Sequence, residues 1–337
     1  MMRKKITKYA SSGGVKIYCI PIESFPCHYT NVYLVLSGGV MGLIDLGSGL
    51  GESNAKLGEG IEEIRQRFGE KVALKDIDLL LITHGHMDHF GGLSYFRSHS
   101  NARVGIHELD AKQIINFEES IIVVARDLRF FLKTVGISEA TQSALMKMYT
   151  TLKTFLASVP LDFYLREEEE PMKGVFRIYH TPGHCPGAVC IQVDDVLFTG
   201  DHVLSHISPH QSPEVIVPYT GLGHYLASLK KIKRIDGIKR AFGGHQRVME
   251  DFYGRIEALE AFHMARLDRV LEICQQPCTI KEISSHLFHS VSGYQILLAL
   301  EETGAHVEYL YQRGRLAIDN LEDLEREVNP VLYYRTL

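Results

Sequence analysis

The chain has 337 residues, 45% of them apolar and 23% charged, and a formal charge of −5. This is the composition of a folded globular protein, and it excludes both a disordered chain and the basic excess that nucleic-acid binding normally needs. The length exceeds one ordinary domain and predicts a large domain with a small appendage. No apolar run approaches the roughly 20 residues that span a membrane. The start Met1-Met2-Arg3-Lys4-Lys5 leads into polar Thr7, Lys8, Ser11 and Ser12, so no signal peptide and a cytoplasmic location are expected. The cysteines Cys19, Cys27, Cys185, Cys190, Cys274 and Cys278 show no Cys-x-x-Cys pairing, which predicts reduced thiols.

In chain order, the first strong element is the apolar strand Leu79-Leu80-Leu81-Ile82. It empties into His84-Gly85-His86-Met87-Asp88-His89. Between His107 and Pro171 the pattern turns helical. One stripe runs through Ile114, Phe117, Ile121, Val124, Leu128, Phe131, Leu132 and Val135. After a break at Gly136, a second runs through Leu145, Met148, Tyr149, Leu152, Phe155, Leu156 and Val159. This predicts an inserted helical hairpin over about residues 108–170. Ile115, Ile122 and Val123 make its first helix apolar nearly all round, so burial on more than one side is expected. Glu167 to Glu170 form a solvated loop. Short strands follow at Val175–Tyr179, Val196–Phe198 and Arg240–Phe242, with an outer helix at Gly221–Lys233.

Beyond Asp251 a long helix passes through Ile256, Leu259, Phe262, Leu267, Val270, Leu271 and Ile273. Thr279 with Glu282 forms a capping-box pattern opening a second helix. A third is predicted from Tyr294 to Glu302, stopped by Gly304. Alternation in His306–Tyr311 and Arg315–Ile318 around Arg313-Gly314 predicts a hairpin. Three helices and a hairpin describe a winged-helix-like domain over 256–337, after a catalytic domain over 1–255. That tail holds seven Lys or Arg against thirteen Asp or Glu, a charge of −6. Its third helix carries Glu301 and Glu302 and no base. DNA binding is therefore not expected, since phosphate contacts supply nearly all non-specific affinity.

Three imidazoles and a carboxylate within six residues are too many polar groups to spend on packing, because each needs a partner when buried. A metal accounts for them. His84 and His86, two apart in an extended segment, leave the same face and can grip one ion. Asp88 and His89, past the strand end, can serve a second. Further ligands are expected from glycine-bearing turns at other strand ends, at Thr181-Pro182-Gly183-His184, Gly200-Asp201 and Gly243-Gly244-His245.

This series, His-x-His-x-Asp-His followed by His, Asp and His, resembles the metallo-β-lactamase-fold hydrolase superfamily over about residues 15–255. The strand-turn Leu43-Ile44-Asp45-Leu46-Gly47, fed by Asn31–Leu36, is similar to the family's early core strands. The resemblance implies an α/β class fold, an αβ/βα four-layer sandwich. It also implies two divalent ions, zinc first, with iron or manganese compatible with the ligands. His84, His86 and His184 would hold one ion; Asp88, His89 and His245 the other; Asp201 would bridge them. The implied function is hydrolysis by a metal-bridging hydroxide, with Asp88 as ligand and orienting group. The overall layout, tail included, resembles the lactamase-beta-2-like branch.

A small acyl substrate (thioester, ester or lactone, as for glyoxalase II and its relatives) is expected from the apolar insertion. An endoribonuclease or phosphodiesterase is the alternative, and a purely regulatory role is disfavoured by the intact ligand set. The basic stretch Lys230, Lys231, Lys233, Arg234, Lys239 and Arg240 reads as an outer solvated helix. His206, His210 and Tyr219, downstream of Asp201, are expected substrate contacts. Cys185 reads as a small filler beside His184. The insertion is expected to be a lid, a homodimer interface or simple packing.

Overall fold

A computed structural model describes residues 5–152, 156–172 and 174–337. Phe155 and the first four residues, used in the readings above, lie outside these. The first sheet runs in chain order through β1 (Thr7–Ala10), β2 (Lys16–Phe25), β3 (His28–Ser37), β4 (Val40–Ile44), β5 (Leu79–Leu81), β6 (Arg103–Ile106) and β7 (Phe163–Tyr164). It is antiparallel as far as β4 and parallel from β4 to β7. The second sheet contains β8 (Arg177–His180), β9 (Val189–Val193), β10 (Val196–Gly200) and β11 (Arg240–Gly243), in the order β11-β10-β9-β8.

Strand periodicity decides how the sheets stack, because alternate residues leave opposite faces. Ile17, Tyr33, Val35, Ile44, Leu79 and Leu81 pack against Ile178, Ile191, Val196, Phe198 and Phe242 to form the layer between the sheets. Their neighbours Tyr18, Ile20, Leu34, Leu43 and Leu80 face the other way, onto Leu57, Ile61 and Ile64 of α1 (Ser53–Phe68). The short helix α2 (Met87–Phe90) and α3 (Leu93–His99), which adds Leu93 and Phe96, lie on that side too. Outside the second sheet, Tyr179, Cys190, Leu197 and Ala241 meet Leu222, Tyr225 and Leu229. Helix, sheet, sheet and helix layers thus follow the expected sandwich.

Within the expected insertion, α4 (Glu108–Ile115) buries Ala111 and Ile114 on the first sheet's outer cluster, and β7 extends that sheet by pairing with β6. The protruding part is α5 (Phe117–Thr134) and α6 (Glu139–Leu152), joined through Gly136 at φ +88°. The first helix is buried on more than one side, as expected: Phe117 and Ile121 join the first sheet's outer cluster while Leu128, Phe131 and Leu132 enter a second core, although Ile122 stays 70% exposed. That core includes the C-terminal segment: Leu128, Phe131, Leu132 and Leu145 share it with Leu267, Val270, Ile283, Leu297 and Leu300. Backbone bonds reinforce this, with Lys281 N–H donating to Val135 O and Leu332 N–H to Thr134 O, at 2.9 and 3.0 Å. Two of the carbonyls a helix end leaves without partners are thereby satisfied.

After α7 (Leu222–Ile232), that segment runs α8 (Phe252–Ile273), β12 (Cys278–Thr279), α9 (Ile280–Leu287), α10 (Tyr294–Gln312), β13 (Leu316–Ile318), α11 (Leu321–Arg326) and β14 (Tyr333–Thr336). The Thr279–Glu282 capping box is formed. Two expectations fail. Helix α10 does not stop at Gly304 but continues through His306–Tyr311, and β13 pairs with β14 rather than with that stretch. Leu300, Thr303, Val307 and Leu310 are buried at three- and four-residue steps, a helical period that overrides the local alternation. Gly304 serves close packing: a Cβ there would stand 2.8 Å from the Phe131 ring.

Candidate metal centre

The ligand-bearing turns gather at one edge of the sandwich because β4, β5, β8, β10 and β11 all deliver their C-terminal ends there. The edge is stitched across both sheets: Asn31 N–H donates to Gly244 O and Gly244 N–H to Gly200 O, both at 2.7 Å, and Val189 N–H donates to Thr83 O at 2.9 Å. Gly244 has no room for a side chain, since a Cβ would lie 2.6 Å from His89 and closer still to Asp201.

The seven residues expected from the sequence converge as two triads on Asp201. In the first, His86 Nδ1 lies 3.2 Å from His84 Nε2 and 3.0 Å from His184 Nε2. Those two Nε2 atoms are 4.0 and 3.8 Å from Asp201 Oδ2. In the second, Asp88 Oδ2 is 3.6 Å from His89 Nε2 and 3.4 Å from His245 Nε2. These nitrogens reach Asp201 Oδ1 at 3.7 Å and Oδ2 at 3.0 Å respectively. Ligand atoms at ~2.0–2.1 Å from one tetrahedral ion stand about 3.3 Å apart, close to these spacings.

The other nitrogen of every ring is anchored. His84 Nδ1 meets Thr83 Oγ1 at 3.1 Å, His89 Nδ1 meets Asp45 Oδ2 at 2.8 Å, and His86 Nε2 meets Cys185 Sγ at 3.4 Å. His184 Nδ1 donates to His210 O and His245 Nδ1 to Tyr29 O, each at 2.7 Å. Outer partners of this kind fix tautomer and ring direction, leaving the inward nitrogens as lone-pair donors. Inside, His89 Nε2 and Asp201 Oδ1 are buried without a hydrogen-bond partner. Orphaned donor atoms in an oriented, convergent set are what a divalent cation completes, so the residues fit the implied metal.

The charges agree. Burial works against ionisation of Asp88, but the imidazoles of His89 and His245 and the His28 bond hold its carboxyl well below the usual range. Asp201 is likewise depressed, by His245 and His89 against its burial. Burial disfavours a charged His89, yet Asp88, Asp45 and Asp201 raise its pKa well above the ordinary value; His245 is also raised. Burial lowers His84 and His184. Without a metal, the neighbouring carboxylates thus favour protonation of His89 and His245 in the second triad.

Several contributors carried no sequence signal of their own. Asp45, at φ +60° just past β4, also accepts from Thr83 N–H and Oγ1–H at 2.8 Å each, joining the first strand turn to the ligand loop. Asp110, buried on α4, accepts from Gly85 N–H and Gly187 N–H, both at 2.7 Å, and so clamps the His84–His86 loop to the His184 loop. Burial pushes its pKa up to about 6. His28, at the tip of the β2–β3 hairpin, sits 3.2 Å from Asp88 Oδ2 at the open side of the site.

The expected substrate contacts fare differently. His210 faces away: its ring nitrogens lie 2.8 Å from Glu301 and 3.7 Å from Glu302 on α10. His206 and Tyr219 are exposed, and among the described residues neither hydrogen-bonds to a ligand residue. Cys185 Sγ lies 3.4 Å from His86 Nε2 and stands with His84, His86 and His184 among atoms close enough to hold one ion.

The profile of the metallo-beta-lactamase superfamily matches residues 26–245. A Drosophila melanogaster protein named beta-lactamase-like protein 2 homolog is 27% identical over 278 residues, 80% of this chain and 76% of that one. The probable metallo-hydrolase YqjP of Bacillus subtilis (strain 168) is 24% identical over 290 residues, 83% and 86% of the two chains. Among solved structures, a metallo-beta-lactamase family protein from Thermus thermophilus superposes with a TM-score of 0.74 at 26% identity, covering 95% of this chain and 98% of its own. No helix among the described residues is long and apolar enough to cross a membrane. With the family profile spanning both triads and the sandwich that carries them, the chain belongs to the metallo-beta-lactamase superfamily and is a metal-dependent hydrolase.

Proposed function

We propose that the protein is a dinuclear hydrolase of small acyl compounds, a thioester, ester or lactone. His84, His86 and His184 would hold one ion, Asp88, His89 and His245 the other, and Asp201 would lie between them; zinc suits the imidazole-rich set best. The observation that carries this reading is the convergence of both triads on one carboxylate. Two divalent ions held there would lower the pKa of a shared water towards neutrality and polarise the substrate's carbonyl oxygen.

The chain's own part is orientation. Asp88, whose carboxyl is held well below the usual range, would ligate through one carboxylate oxygen and accept a hydrogen bond from the attacking water at the other, directing the water's lone pair at the carbonyl carbon. Thr30 Oγ1 and His28 lie 3.3 and 3.2 Å from Asp88 Oδ2 and restrict its rotation.

The preference for an acyl compound over RNA rests on charge. The basic stretch is largely neutralised within the fold: Lys231 pairs with Glu167, Lys233 with Glu257 and Glu260, Lys239 with Asp195 and Arg240 with Glu250. A groove tracking a nucleic-acid backbone needs unpaired bases. We read the tail as winged-helix-like but not as a DNA reader, because Glu301 and Glu302 of α10 are buried in the protein. The test is elemental analysis followed by turnover of an acyl-CoA thioester panel and a single-stranded RNA on the same metal-replete sample. Thioester hydrolysis with intact RNA is expected. RNA cleavage abolished by Asp88→Ala would overturn the acyl assignment in favour of the ribonuclease alternative.

A further inference from the structure

The loop 208–212 lies between the metal centre and the C-terminal helices, and His210 faces both. Its carbonyl accepts from His184 Nδ1 at 2.7 Å, the bond that leaves His184 Nε2 directed at His86 and Asp201. Its imidazole Nε2 lies 2.8 Å from Glu301 Oε2, and Ser212 Oγ donates to the same oxygen at 3.0 Å. The backbone N–H of Gln211 donates to Glu302 Oε2 at 2.7 Å. Ser208 Oγ meets His263 Nε2 of α8 at 2.8 Å. Four of five consecutive loop residues are therefore held by side chains from α8 and α10.

Glu301 and Glu302 are both buried, a placement that is costly for a carboxylate unless partners compensate. Glu302 has Arg266 Nη1 at 2.6 Å besides the loop. Among the described residues Glu301 hydrogen-bonds to His210 and Ser212, both in the loop, so carboxylate and loop hold each other in place. The helix beneath is braced in turn. His306 Nδ1 donates to Glu302 O at 2.7 Å, and His306 Nε2 lies 3.1 Å from His263 Nδ1. Donor atoms of His263, Glu302 and His306 are close enough to suggest a cation. The guanidinium on Glu302 and the completed bonds of both rings make this group a brace instead.

We propose that Glu301 is a positioning residue of the hydrolytic centre, acting through His210 to hold the imidazole of His184 in its ligand orientation. This rests on the reading of His184 as a ligand of the first ion. It makes the C-terminal segment part of the active site although it lies outside residues 26–245.

The test is a cobalt(II) titration of the metal-free, full-length protein, followed by d–d absorbance and run below the melting temperature of each variant. Glu301→Ala is expected to weaken the first-triad ion on the order of tenfold, the lower end of what an outer partner contributes, with the second-triad ion unchanged. Glu301→Gln keeps an acceptor for His210 and is expected to restore the wild-type spectrum and affinity. His210→Ala severs the same link from the other side and is expected to reproduce the loss. Full first-triad affinity in Glu301→Ala or His210→Ala, with only a lower melting temperature, overturns the proposal. A His184→Ala protein that binds cobalt like wild type would instead overturn the underlying ligand assignment, whatever Glu301 does.

Discussion

The two triads differ in what holds them, although both meet at Asp201. The first is all imidazole, and its rings are set by neutral groups: the Thr83 hydroxyl, the Cys185 thiol and the His210 carbonyl. The second contains Asp88 and has a carboxylate, Asp45, behind His89. Burial therefore disfavours charge on His84 and His184 in the metal-free protein, and the first triad depends on loops fixed by α4 and α10. The second carries surplus negative charge and holds protons until a cation displaces them. On the proposed dinuclear reading, one site would be limited by geometry and the other by proton competition.

The largest expected effect abolishes the comparison. Asp201→Ala removes the group both triads share and should cost turnover more than the roughly hundredfold lost with an outer partner, with both ions weakened in a zinc titration. Next comes pH. His89 and His245 are raised in the metal-free protein, so loading the second triad must release protons and its affinity should fall as pH is lowered. His84 and His184 are lowered, so the first triad should respond less. Each displaced proton gives about a tenfold fall per pH unit. Calorimetric titrations at two pH values would show this, and equal slopes for the two ions would remove the distinction. Asp45→Ala should then cost about 10–100-fold in second-ion affinity, read by the same titration, while sparing the first ion more.

Much of this was legible in the sequence, and the reasons are physical. His84 to His89 announce themselves because four of six adjacent residues carry the chemistry. His184, Asp201 and His245 each follow a short strand and a glycine turn, a local pattern. Asp110 carries no such mark, and Asp45 stands in the strand-turn Leu43–Gly47 with no histidine beside it. A lone carboxylate after a strand or in a helix becomes a positioning group only through Thr83, Gly85, Gly187 and His89, which the fold brings to it. The role of Gly304 is hidden for the same reason: it depends on Phe131 in another helix, so a locally plausible stop lies inside α10. His210 drew attention as a histidine near Asp201, whereas its carbonyl, which every residue has, faces the centre.

The smallest expected effect concerns the brace rather than the triads. Burial lowers the pKa of His263 to about 3 from 6.5, with His306 and Arg266 opposing its charge and Glu302 favouring it. Between these limits the unfolded chain binds more protons than the native one, so this contribution is present above pH 6.5 and lost as pH falls through the window. The slope from one such group is at most about 1.4 kcal/mol per pH unit. Thermal melts from pH 7 to 5 should fall less steeply for His263→Gln than for wild type, and parallel curves would show that His263 does not titrate on unfolding.

The most direct test of the central claim counts ions. Zinc titration of the metal-free, full-length protein by calorimetry is expected to give two equivalents for wild type and one for either His184→Ala or His245→Ala. A single equivalent in wild type, or a variant that still binds two, would contradict two triads sharing Asp201.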